Sequence, residues 1–491
     1  MSILNQVKNL TKHSAVYTVA TFIQRLQGLI LLPILTDPSY LATRSEYGDY
    51  SLIYTFIAFM NVVYLYGMDL AFLRYYFLGD HSRETIYRSA IQFLSISGLF
   101  ISILIYFCAD PLSSLVFADP GYSHFIEIGA GILFLDTLCN MPYLILRAEE
   151  RSVVFTLVRI GRFVLELILN LIFVVYFKLG VIGILYANLG AAFVNLLILL
   201  PFQFRYLRGA YSWEAVRGLL RFGLPMVPNG MAFLMVEISD RYLMPRLLNK
   251  EILGEYSASY RLGTIMLLLV TAFRTAWQPF FLKVAKDQNA KDIYSRVMSY
   301  YVFVAAFVVL TVTMFIEYVV QIPIAPGITL LGKNYWGGLR IIPIILASYM
   351  IYGIYVNLTV GIYIKKRSEL MIIFTGVAAV ANIGSNFYLM PAYGMMGAAA
   401  ATLLAYMIMM LSIFYANQKI YKVRYDYRRL FWAIGYLAIA MTLYYIYDLN
   451  IIIRLLLVIG LPLLVPVLGL YKKDEVDSLK ALTARFFGKT R

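Results

Sequence analysis

Charged side chains are scarce in this sequence of 491 residues. Asp, Glu, Lys and Arg make up 14% of it, whereas 61% of the residues are hydrophobic and the mean hydropathy is +0.74. A soluble globular domain usually has about 25% charged residues, because its surface must face water. The composition therefore excludes a soluble globular protein and indicates that lipid is the main solvent of the chain.

The sequence also has few of the residues that build metal and nucleophile sites. Its two cysteines, Cys108 and Cys139, lie in or at the ends of apolar runs without the spacing of a partner. Its three histidines, His13, His81 and His124, lie on separate segments near predicted membrane surfaces. No Gly-rich phosphate loop with an adjacent Lys is present. We therefore expect no enzymatic activity, no metal site and no cofactor.

Acidic residues are outnumbered by basic ones. The chain has 42 Lys and Arg against 27 Asp and Glu, which gives a formal net charge of +15. A nucleic-acid-binding protein would gather its excess Lys and Arg on a polar domain, and the sequence has no such domain. We therefore expect no nucleic-acid partner, and the excess charge needs an explanation based on the membrane.

Long apolar segments are what the sequence has in abundance. A helix needs about 20 apolar residues to cross the hydrocarbon core of a bilayer. Fourteen segments meet this requirement. They lie near residues 14–36, 49–75, 86–108, 124–146, 152–176, 181–204, 219–245, 254–280, 297–320, 338–362, 368–389, 394–416, 430–447 and 450–471. The sequence therefore predicts an all-α polytopic membrane protein with about 14 transmembrane helices.

The basic residues between these spans are distributed unevenly over the two sides of the membrane. With the N-terminus in the cytoplasm, the cytoplasmic segments hold 29 Lys and Arg, and the opposite side holds seven. Positive residues favour the cytoplasmic side, where they also face anionic lipid. One miscounted helix in the middle of the chain would move every later loop to the other side and destroy this asymmetry. The distribution predicts a multi-pass protein with both termini cytoplasmic.

Two short motifs occur twice along the chain. Gly48–Tyr54 reappears as Gly254–Tyr260 at an offset of 206, and Gly180–Gly183 is matched by Gly394–Gly397 at an offset of 214. These matches relate spans 1–6 to spans 7–12, and both halves keep the same orientation because six is even. The sequence predicts a parallel repeat about an axis along the membrane normal. We expect an N-terminal lobe over 1–210, a C-terminal lobe over 211–420, and an added pair of spans with a cytoplasmic tail over 421–491.

Several arginines remain inside the predicted spans. They are Arg25, Arg159, Arg162, Arg241, Arg261 and Arg274. An arginine near the bilayer centre costs at least about 2.5–3.5 kcal/mol, so it should face a partner or water. Arg241 and Arg274 lie near helix ends, where the side chain can reach the interface. Arg162 has Glu166 one turn further along, so a local ion pair and a functional role are both open for it.

Arg25 and Arg261 have no acid one helical turn away towards the bilayer centre. The acids inside the spans are Asp69, Asp136, Glu166, Glu237 and Asp240. Asp136 is the deepest of them and either neutralises Arg25 or relays a coupling ion. Asp69, Glu237 and Asp240 are further candidates for ion coupling or charge pairing.

An ordered series of short motifs resembles a known family. The motifs are Glu46–Tyr50, Gly67–Asp69 with Arg74–Tyr76, Gly223–Pro225 with Ser239–Tyr242, Gly254–Ser257, Trp277–Phe280 and Gly394–Ala399. Together they resemble the polysaccharide transporter family over residues 10–420. That family includes O-antigen flippases and shares a superfamily with lipid II flippases and with multidrug and toxic compound extrusion exporters.

The resemblance implies a fold and a function. The fold would be two six-helix lobes in a V-shaped transporter around a cation-lined cavity, with spans 13 and 14 forming a lipid-facing groove. The function would be a flippase in the bacterial cytoplasmic membrane. It would move polyprenyl-diphosphate-linked sugars by alternating access for surface polysaccharide biosynthesis. The partners would be the lipid-linked glycan and membrane lipid, with H⁺, Na⁺ or the membrane potential as the driving force.

The resemblance also suggests site residues. Arg25 and Arg261 lie on spans 1 and 8, which carry cavity arginines in the related lipid II flippases, so we expect both to bind the diphosphate. Arg159 and Arg162 are further candidate cations for the substrate. The alternatives are an exporter of drugs or small solutes, whose cavity should be rich in acids, a scaffold without transport, and an enzyme.

The predicted topology can be tested with reporter fusions. Fusions after Ala210, Lys333 and Arg491 should report cytoplasm, outside and cytoplasm, because the Lys and Arg distribution fixes the side of each loop. Paired reporters that are active on only one side of the membrane measure this directly. A reversed signal at any of the three positions would contradict the predicted number of spans before it.

Overall fold

The structure is a computed structural model and describes residues 28–365, 367 and 369–467. Helices form most of it, as expected for an all-α membrane protein. Within these residues the strands are limited to one short antiparallel hairpin, β1 (Pro323–Ala325) and β2 (Ile328–Thr329), in a loop. Most of the first predicted span, including Arg25, lies outside the described residues.

Eight α-helices form the described part of the N-terminal half. They are α1 (Leu32–Leu35), α2 (Arg44–Leu65), α3 (Met68–Leu78), α4 (Arg83–Phe107), α5 (Ala109–Phe117), α6 (Ser123–Ala148), α7 (Ser152–Asn170) and α8 (Gly180–Gln203). A π-helical turn, Leu171–Tyr176, extends α7, and short 3₁₀ turns lie at Pro120–Tyr122 and Tyr206–Arg208.

Ten more helices follow. They are α9 (Trp213–Gly223), α10 (Val227–Leu247), α11 (Lys250–Gly263), α12 (Ile265–Val284), α13 (Ala290–Val319), α14 (Ile342–Leu358), α15 (Val360–Ile364), α16 (Glu369–Ile420), α17 (Tyr427–Ile446) and α18 (Ile451–Val467). The 3₁₀ segments Leu224–Met226 and Lys333–Ile341 precede α10 and α14.

Polar residues in the loops start several of these helices. The side chains of Thr43, Ser82, Ser212 and Asn249 each accept a hydrogen bond from a backbone N–H in the first turn of α2, α4, α9 and α11. Such caps satisfy N–H groups that have no partner inside the helix. The helix starts therefore follow from local sequence, even where lipid and packing decide how far each helix extends.

The described helices do not establish the predicted number of spans. Ten helical stretches are long and apolar enough to cross a membrane in the part of the chain that the structure describes. One of them, α16, has 52 residues and combines predicted spans 11 and 12, which meet at Gly394 with φ +56°. The ten do not include α7, which carries Arg159, Arg162 and Glu166. The polytopic all-α fold is confirmed, whereas the count of 14 is not.

The hydrophobic core continues through both halves of the chain. Its largest cluster extends from α1 to α18, and a smaller cluster joins α3, α4, α6 and α9. Large apolar side chains also lie on the outside, such as Phe100 and Phe107 on α4, which are 67% and 79% exposed. Exposed apolar surface of this extent suits contact with lipid.

The two copies of the first repeated motif, Gly48–Tyr54 and Gly254–Tyr260, contact each other in the structure. Ser51 on α2 and Ser257 on α11, which are equivalent at the offset of 206, share a hydrogen bond of 2.8 Å between their hydroxyl oxygens. Gly48 and its equivalent Gly254 also lie in contact. Residues contact their own equivalents only next to the axis that relates two repeats. The axis therefore passes between α2 and α11.

The direction of the two helices agrees with the predicted parallel repeat. Arg44 at the start of α2 contacts Glu251 at the start of α11, whereas Tyr50 contacts Arg261 near the end of α11. The helices therefore run side by side in the same direction. An axis that relates two such helices lies along them, and so along the membrane normal.

Glycine allows this close approach. A Cβ atom built on Gly254 would overlap the backbone carbonyl of Arg44, and one built on Gly48 would overlap the carbonyl of Lys250. Backbone atoms cannot move aside as the end of a flexible side chain can. Each repeated motif therefore opens with glycine because the two helices touch there through their backbones.

Segments that the charge distribution assigns to one side contact one another. On the predicted cytoplasmic side, the hydroxyl oxygens of Tyr76 and Tyr206 are 3.0 Å apart. On the predicted outer side, the backbone N–H of Gly332 donates to the Thr36 hydroxyl at 2.9 Å. These contacts agree with the predicted topology, while the side on which the termini lie stays a prediction.

The contact between α2 and α11 predicts the effect of a single methyl group. Gly254→Ala should lower the free energy of unfolding by about 1–3 kcal/mol, because the added Cβ meets a backbone carbonyl that cannot yield. Thermal unfolding of the purified protein measures this. Gly384→Ala in α16 is the matched control, since no atom lies within 4 Å of its added Cβ. Equal melting temperatures for the two variants would contradict the close approach.

Candidate functional site

A cavity of about 300 Å³ lies between the two halves, beside the contact of α2 with α11. Its polar and aromatic wall is formed by Tyr47, Tyr50 and Tyr54 on α2, Arg241 on α10, and Ser257 and Arg261 on α11. The two arginines are the charged residues of this wall, and no carboxylate of the described residues lines it. The cavity is therefore positively charged, and the rest of its lining consists of aromatic, hydroxyl-bearing and aliphatic side chains.

Arg261 is held in the cavity by neutral groups. Its guanidinium donates to the Tyr50 hydroxyl at 2.8 Å and to the Gly28 carbonyl at 3.3 Å. It also lies over the rings of Tyr50 and Tyr47, 5.3 and 6.0 Å from their centroids. Within the described residues, Arg261 has no carboxylate at ion-pair distance. These contacts orient the guanidinium and leave its charge uncompensated.

Gly28 makes room for this arginine. A Cβ atom on Gly28 would lie 3.2 Å from both Cδ and Nε of Arg261. That distance is tighter than ordinary packing, so a larger residue would push the guanidinium away from the wall. Sequence spacing could not reveal this contact, because 233 residues separate the two positions.

Arg241 also lines the cavity, contrary to its predicted position at the interface. Its guanidinium lies 4.8 Å from the centroid of the Tyr260 ring. The residue is near the end of α10, where an arginine can reach the interface, but the packing of α10 against α2 turns this side towards the cavity. Sequence analysis therefore missed a cavity cation. The Ser239–Tyr242 motif was the available signal, because it belongs to the resemblance.

Two acids, the half-buried Glu237 and the buried Asp240, lie close to the cavity in the C-terminal half. Glu237 accepts hydrogen bonds from the hydroxyls of Tyr349, at 3.0 Å, and Tyr406. Asp240 accepts a hydrogen bond from the Tyr256 hydroxyl. In the part of the chain that the structure describes, neither acid has a cation at ion-pair distance. Glu237 and Asp240, two of the four candidates for ion coupling, are thus solvated by tyrosine hydroxyls.

Asp136 has a partner on the neighbouring helix α7. Its carboxylate lies 2.7 Å from Nη2 of Arg162, which joins α6 to α7. The sequence leaves two roles open for Arg162, a local ion pair with Glu166 and a functional role, and the structure adds this ion pair with Asp136. Arg25, which we considered as the partner of Asp136, lies outside the described residues. Sequence spacing identifies neighbours only on the same helix, so it could not predict this pair.

A chain of polar groups links this ion pair to the cavity. Arg162 donates to the Asn188 side-chain oxygen at 3.4 Å, and the Asn188 amide donates to the Tyr54 hydroxyl at 3.0 Å. Tyr54 forms part of the cavity wall. Asp136 is therefore connected to the cavity wall through the side chains of Arg162, Asn188 and Tyr54.

The remaining predicted site residues do not line this cavity. Arg159 lies over the rings of Tyr143 and Phe155, 4.6 and 4.9 Å from their centroids. Asp69 lies in the first turn of α3, where the N-terminal end of the helix dipole favours a negative charge. Among the described residues, no group of three or more His, Cys, Asp or Glu could hold a metal.

Two reciprocal ion contacts lie near the starts of α2 and α11, at the predicted outer end of these helices. Arg44 pairs with Glu255 at 2.7 Å, and Lys250 pairs with Asp49 at 3.0 Å. Arg44 is equivalent to Lys250, and Asp49 to Glu255, at the offset of 206. The two ion pairs are therefore one contact that the repeat axis generates twice. A search of the repeat for charges of opposite sign would have found this feature, which sequence analysis missed.

The Asp136–Arg162 pair predicts a double-mutant result. Asp136→Asn and Arg162→Gln should each lower the free energy of unfolding, by up to about 3–5 kcal/mol, because a charge inside the protein loses its partner. The double variant should regain part of the loss. Melting temperatures measure the cycle, and Glu369→Gln, which breaks an exposed pair with Arg367, should change little. Fully additive losses would contradict a static pair.

One family model and one curated relative match the sequence. The model describes polysaccharide biosynthesis proteins and matches residues 40–326, more than half of the chain. The relative is the Lsg locus putative protein 1 of Haemophilus influenzae. It is 21% identical over 290 residues, which cover 57% of this chain and 67% of the relative.

Solved transporter structures share the fold. The lipid II flippase MurJ in an inward closed conformation has a TM-score of 0.73 at 16% identity, over 92% of this chain and 97% of that chain. An inward-facing MATE family multidrug transporter of the MOP superfamily has a TM-score of 0.64 at 13% identity, over 85% and 96% of the two chains. The motifs, the cavity between two repeats and the family match agree. The chain belongs to the polysaccharide biosynthesis protein family and shares the fold of these transporters.

Proposed function

We propose that this protein is a flippase for polyprenyl-diphosphate-linked sugars or oligosaccharides, acting by alternating access in surface polysaccharide biosynthesis. One observation carries the proposal. Arg241 and Arg261 line one cavity between the two halves, and within the described residues neither has a carboxylate at ion-pair distance. A cavity with uncompensated guanidinium groups is suited to an anionic ligand.

The chemistry of a diphosphate fits this wall. Its oxygens accept several hydrogen bonds, and a guanidinium presents planar pairs of N–H donors that match them. Arg241 and Arg261 would approach the anion from α10 and α11. Arg25 stays in the proposal on the basis of its position in span 1, as a cation from the other half.

The arrangement also suits movement across the membrane. A diphosphate is costly to place in hydrocarbon, whereas its polyprenyl tail can stay in the bilayer. The cavity would lower this barrier for the head group. Arg261 is already solvated by Tyr50 and the Gly28 carbonyl, so an anion can leave without stranding a bare charge. Release on the other side requires such moderate binding.

Alternating access requires a closure that opens again. The predicted outer end is held by Arg44 with Glu255 and by Lys250 with Asp49. The side chains of Arg44 and Lys250 are 36% and 21% exposed and those of Glu255 and Asp49 are 9% and 5% exposed, and in such partly buried ion pairs the cost of desolvation offsets much of the attraction. Contacts of this strength can break and re-form as the two halves rock about the α2–α11 interface.

Glu237 and Asp240 are our proposed coupling residues. Glu237 is half-buried and Asp240 is buried, and each accepts hydrogen bonds from tyrosine hydroxyls without a cation at ion-pair distance in the described residues, which suits a carboxylate that takes up H⁺ or Na⁺. Asp136, which joins the cavity wall through Arg162, is a second candidate in the N-terminal half. Asp69 is the weakest of the four because it lies on α3, away from the cavity wall.

The location in the cell follows from the same proposal. Loops that are rich in Lys and Arg would face the cytoplasm, with both termini on that side of the bacterial cytoplasmic membrane. An exporter of cationic drugs, the main alternative, would need acids in the cavity, and its described wall has none.

The cavity arginines predict a specific loss of transport. Arg261→Ala and Arg241→Ala should each lower the flipping of a lipid-linked sugar by about 10- to 100-fold, since a charged hydrogen bond is worth about 1.5–3 kcal/mol. Lys at either position should restore part of the activity, because it keeps the charge and loses the planar donors. Complementation of a flippase-deficient strain and flipping in proteoliposomes measure this.

Arg274→Ala is the matched control. This arginine also lies within a predicted span, but it lines a separate cavity of about 90 Å³ and donates to the Tyr352 hydroxyl at 3.3 Å. Its loss should leave transport near normal. Normal flipping by both cavity variants would contradict the proposed function, and loss of drug export without loss of flipping would favour the exporter.

A further inference from the structure

A second polar pocket lies at the predicted cytoplasmic ends of α13 and α17. Its volume is about 140 Å³. Asp292, Arg296 and Ser299 from α13 line one side, and Arg424, Asp426 and Arg429 from the segment that leads into α17 line the other. No residue of this pocket lines the central cavity.

The charges in this pocket do not balance. Three arginines face two aspartates. Asp426 is already engaged with Arg429, because one oxygen lies 3.1 Å from Arg429 Nε and the other accepts the Arg429 backbone N–H at 3.3 Å. Arg429 is only 6% exposed, so this pair forms the inner wall. The pocket keeps a net positive charge after this pairing.

Arg296 leaves a donor without an acceptor. Its Nε is buried and has no hydrogen-bond partner within residues 28–365, 367 and 369–467. In the same part of the chain, neither Arg296 nor Arg424 has a carboxylate at ion-pair distance. A buried charged donor without an acceptor is costly, so this geometry favours a bound anion.

An apolar groove of about 210 Å³ continues from the polar pocket. Tyr425 belongs to both. Met298, two residues after Arg296, and Leu430, next to Arg429, line the start of the groove, which continues along Leu411 on α16. Every residue that lines it is apolar or aromatic. A positively charged pocket therefore opens directly into an apolar channel between helices.

We propose that this pocket and groove form a binding site for an anionic phospholipid. The phosphate would lie between Arg296, Arg424 and Arg429, and an acyl chain would fill the groove. A pocket of about 140 Å³ has room for a phosphate group, since a water molecule occupies about 30 Å³ of liquid. Arginine forks are well suited to phosphate oxygens.

The position of the site favours a membrane phospholipid over other anions. A soluble phosphate would have no use for the apolar groove. The polyprenyl-linked substrate needs access to the central cavity, which shares no residue with this site. The lipid would contact α13, α16 and α17 together and so fasten the added pair of helices to the C-terminal half.

Native mass spectrometry of the full-length protein in neutral detergent tests the site. Phosphatidylglycerol should bind roughly tenfold more tightly than phosphatidylcholine with the same acyl chains, because its net charge is negative. The double variant Arg296→Gln, Arg424→Gln should lose this preference. Arg424→Gln alone should weaken it, and because Arg424 is exposed, this variant reports on binding without risk to the fold.

Two matched controls separate binding from general effects. Lys422→Gln removes a charge from the same segment outside the pocket and should keep the preference. Leu411→Trp should weaken the binding of both lipids, because the larger side chain fills the groove. Leu456→Trp, which also lies on an exposed apolar face, should leave the binding of both lipids unchanged. An unchanged preference in the double arginine variant would overturn the proposal. Equal competition by glycerol phosphate would indicate a soluble anion, and Arg296-dependent binding of polyprenyl phosphate above phosphatidylglycerol would indicate the substrate lipid.

Discussion

A charged side chain inside a bilayer must find a partner or water, and the arrangement of the helices depends on this requirement. Arg162 meets it with Asp136, and Glu237 meets it with two tyrosine hydroxyls. Arg261 is different, because its surroundings supply hydrogen bonds and aromatic faces without a carboxylate in the described part of the chain. The structure thus balances the charges that hold helices together and leaves a positive charge where a ligand can reach it.

The repeat axis explains why the contacts between α2 and α11 occur in equivalent pairs. Residues beside the axis contact their own equivalents in the other half, so Gly48 faces Gly254 and Ser51 faces Ser257. The ion pairs of Arg44 and Lys250 follow the same rule. The two halves pack through small residues, hydroxyls and partly exposed charges. This interface stabilises their association less than a fully apolar interface of the same size would. Such an interface can serve as the pivot of a transporter, because no single contact in it is strong enough to lock the two halves.

The two proposed sites for phosphate groups differ in physical character. The central cavity is shared between the halves, so its shape would change in the proposed alternating access, and Arg261 is solvated by neutral groups that would allow release. The peripheral pocket lies between the C-terminal half and the added pair of helices, next to an apolar groove, and contains the buried Arg429 paired with Asp426. A ligand there would not be exposed to alternating access. The first site suits a transported anion and the second a resident lipid.

The sequence by itself determined the class of protein, because its apolar content and its paired motifs at offsets of 206 and 214 leave few alternatives to a repeated membrane fold. It also identified Arg261 as a residue without an acid one turn further into the membrane, since spacing along one helix shows such neighbours directly. The tertiary structure decided which helices meet. Only helix packing could place Arg241 in the cavity and pair Asp136 with Arg162, because helical periodicity describes contacts within a helix, whereas the charges of this protein are satisfied between helices.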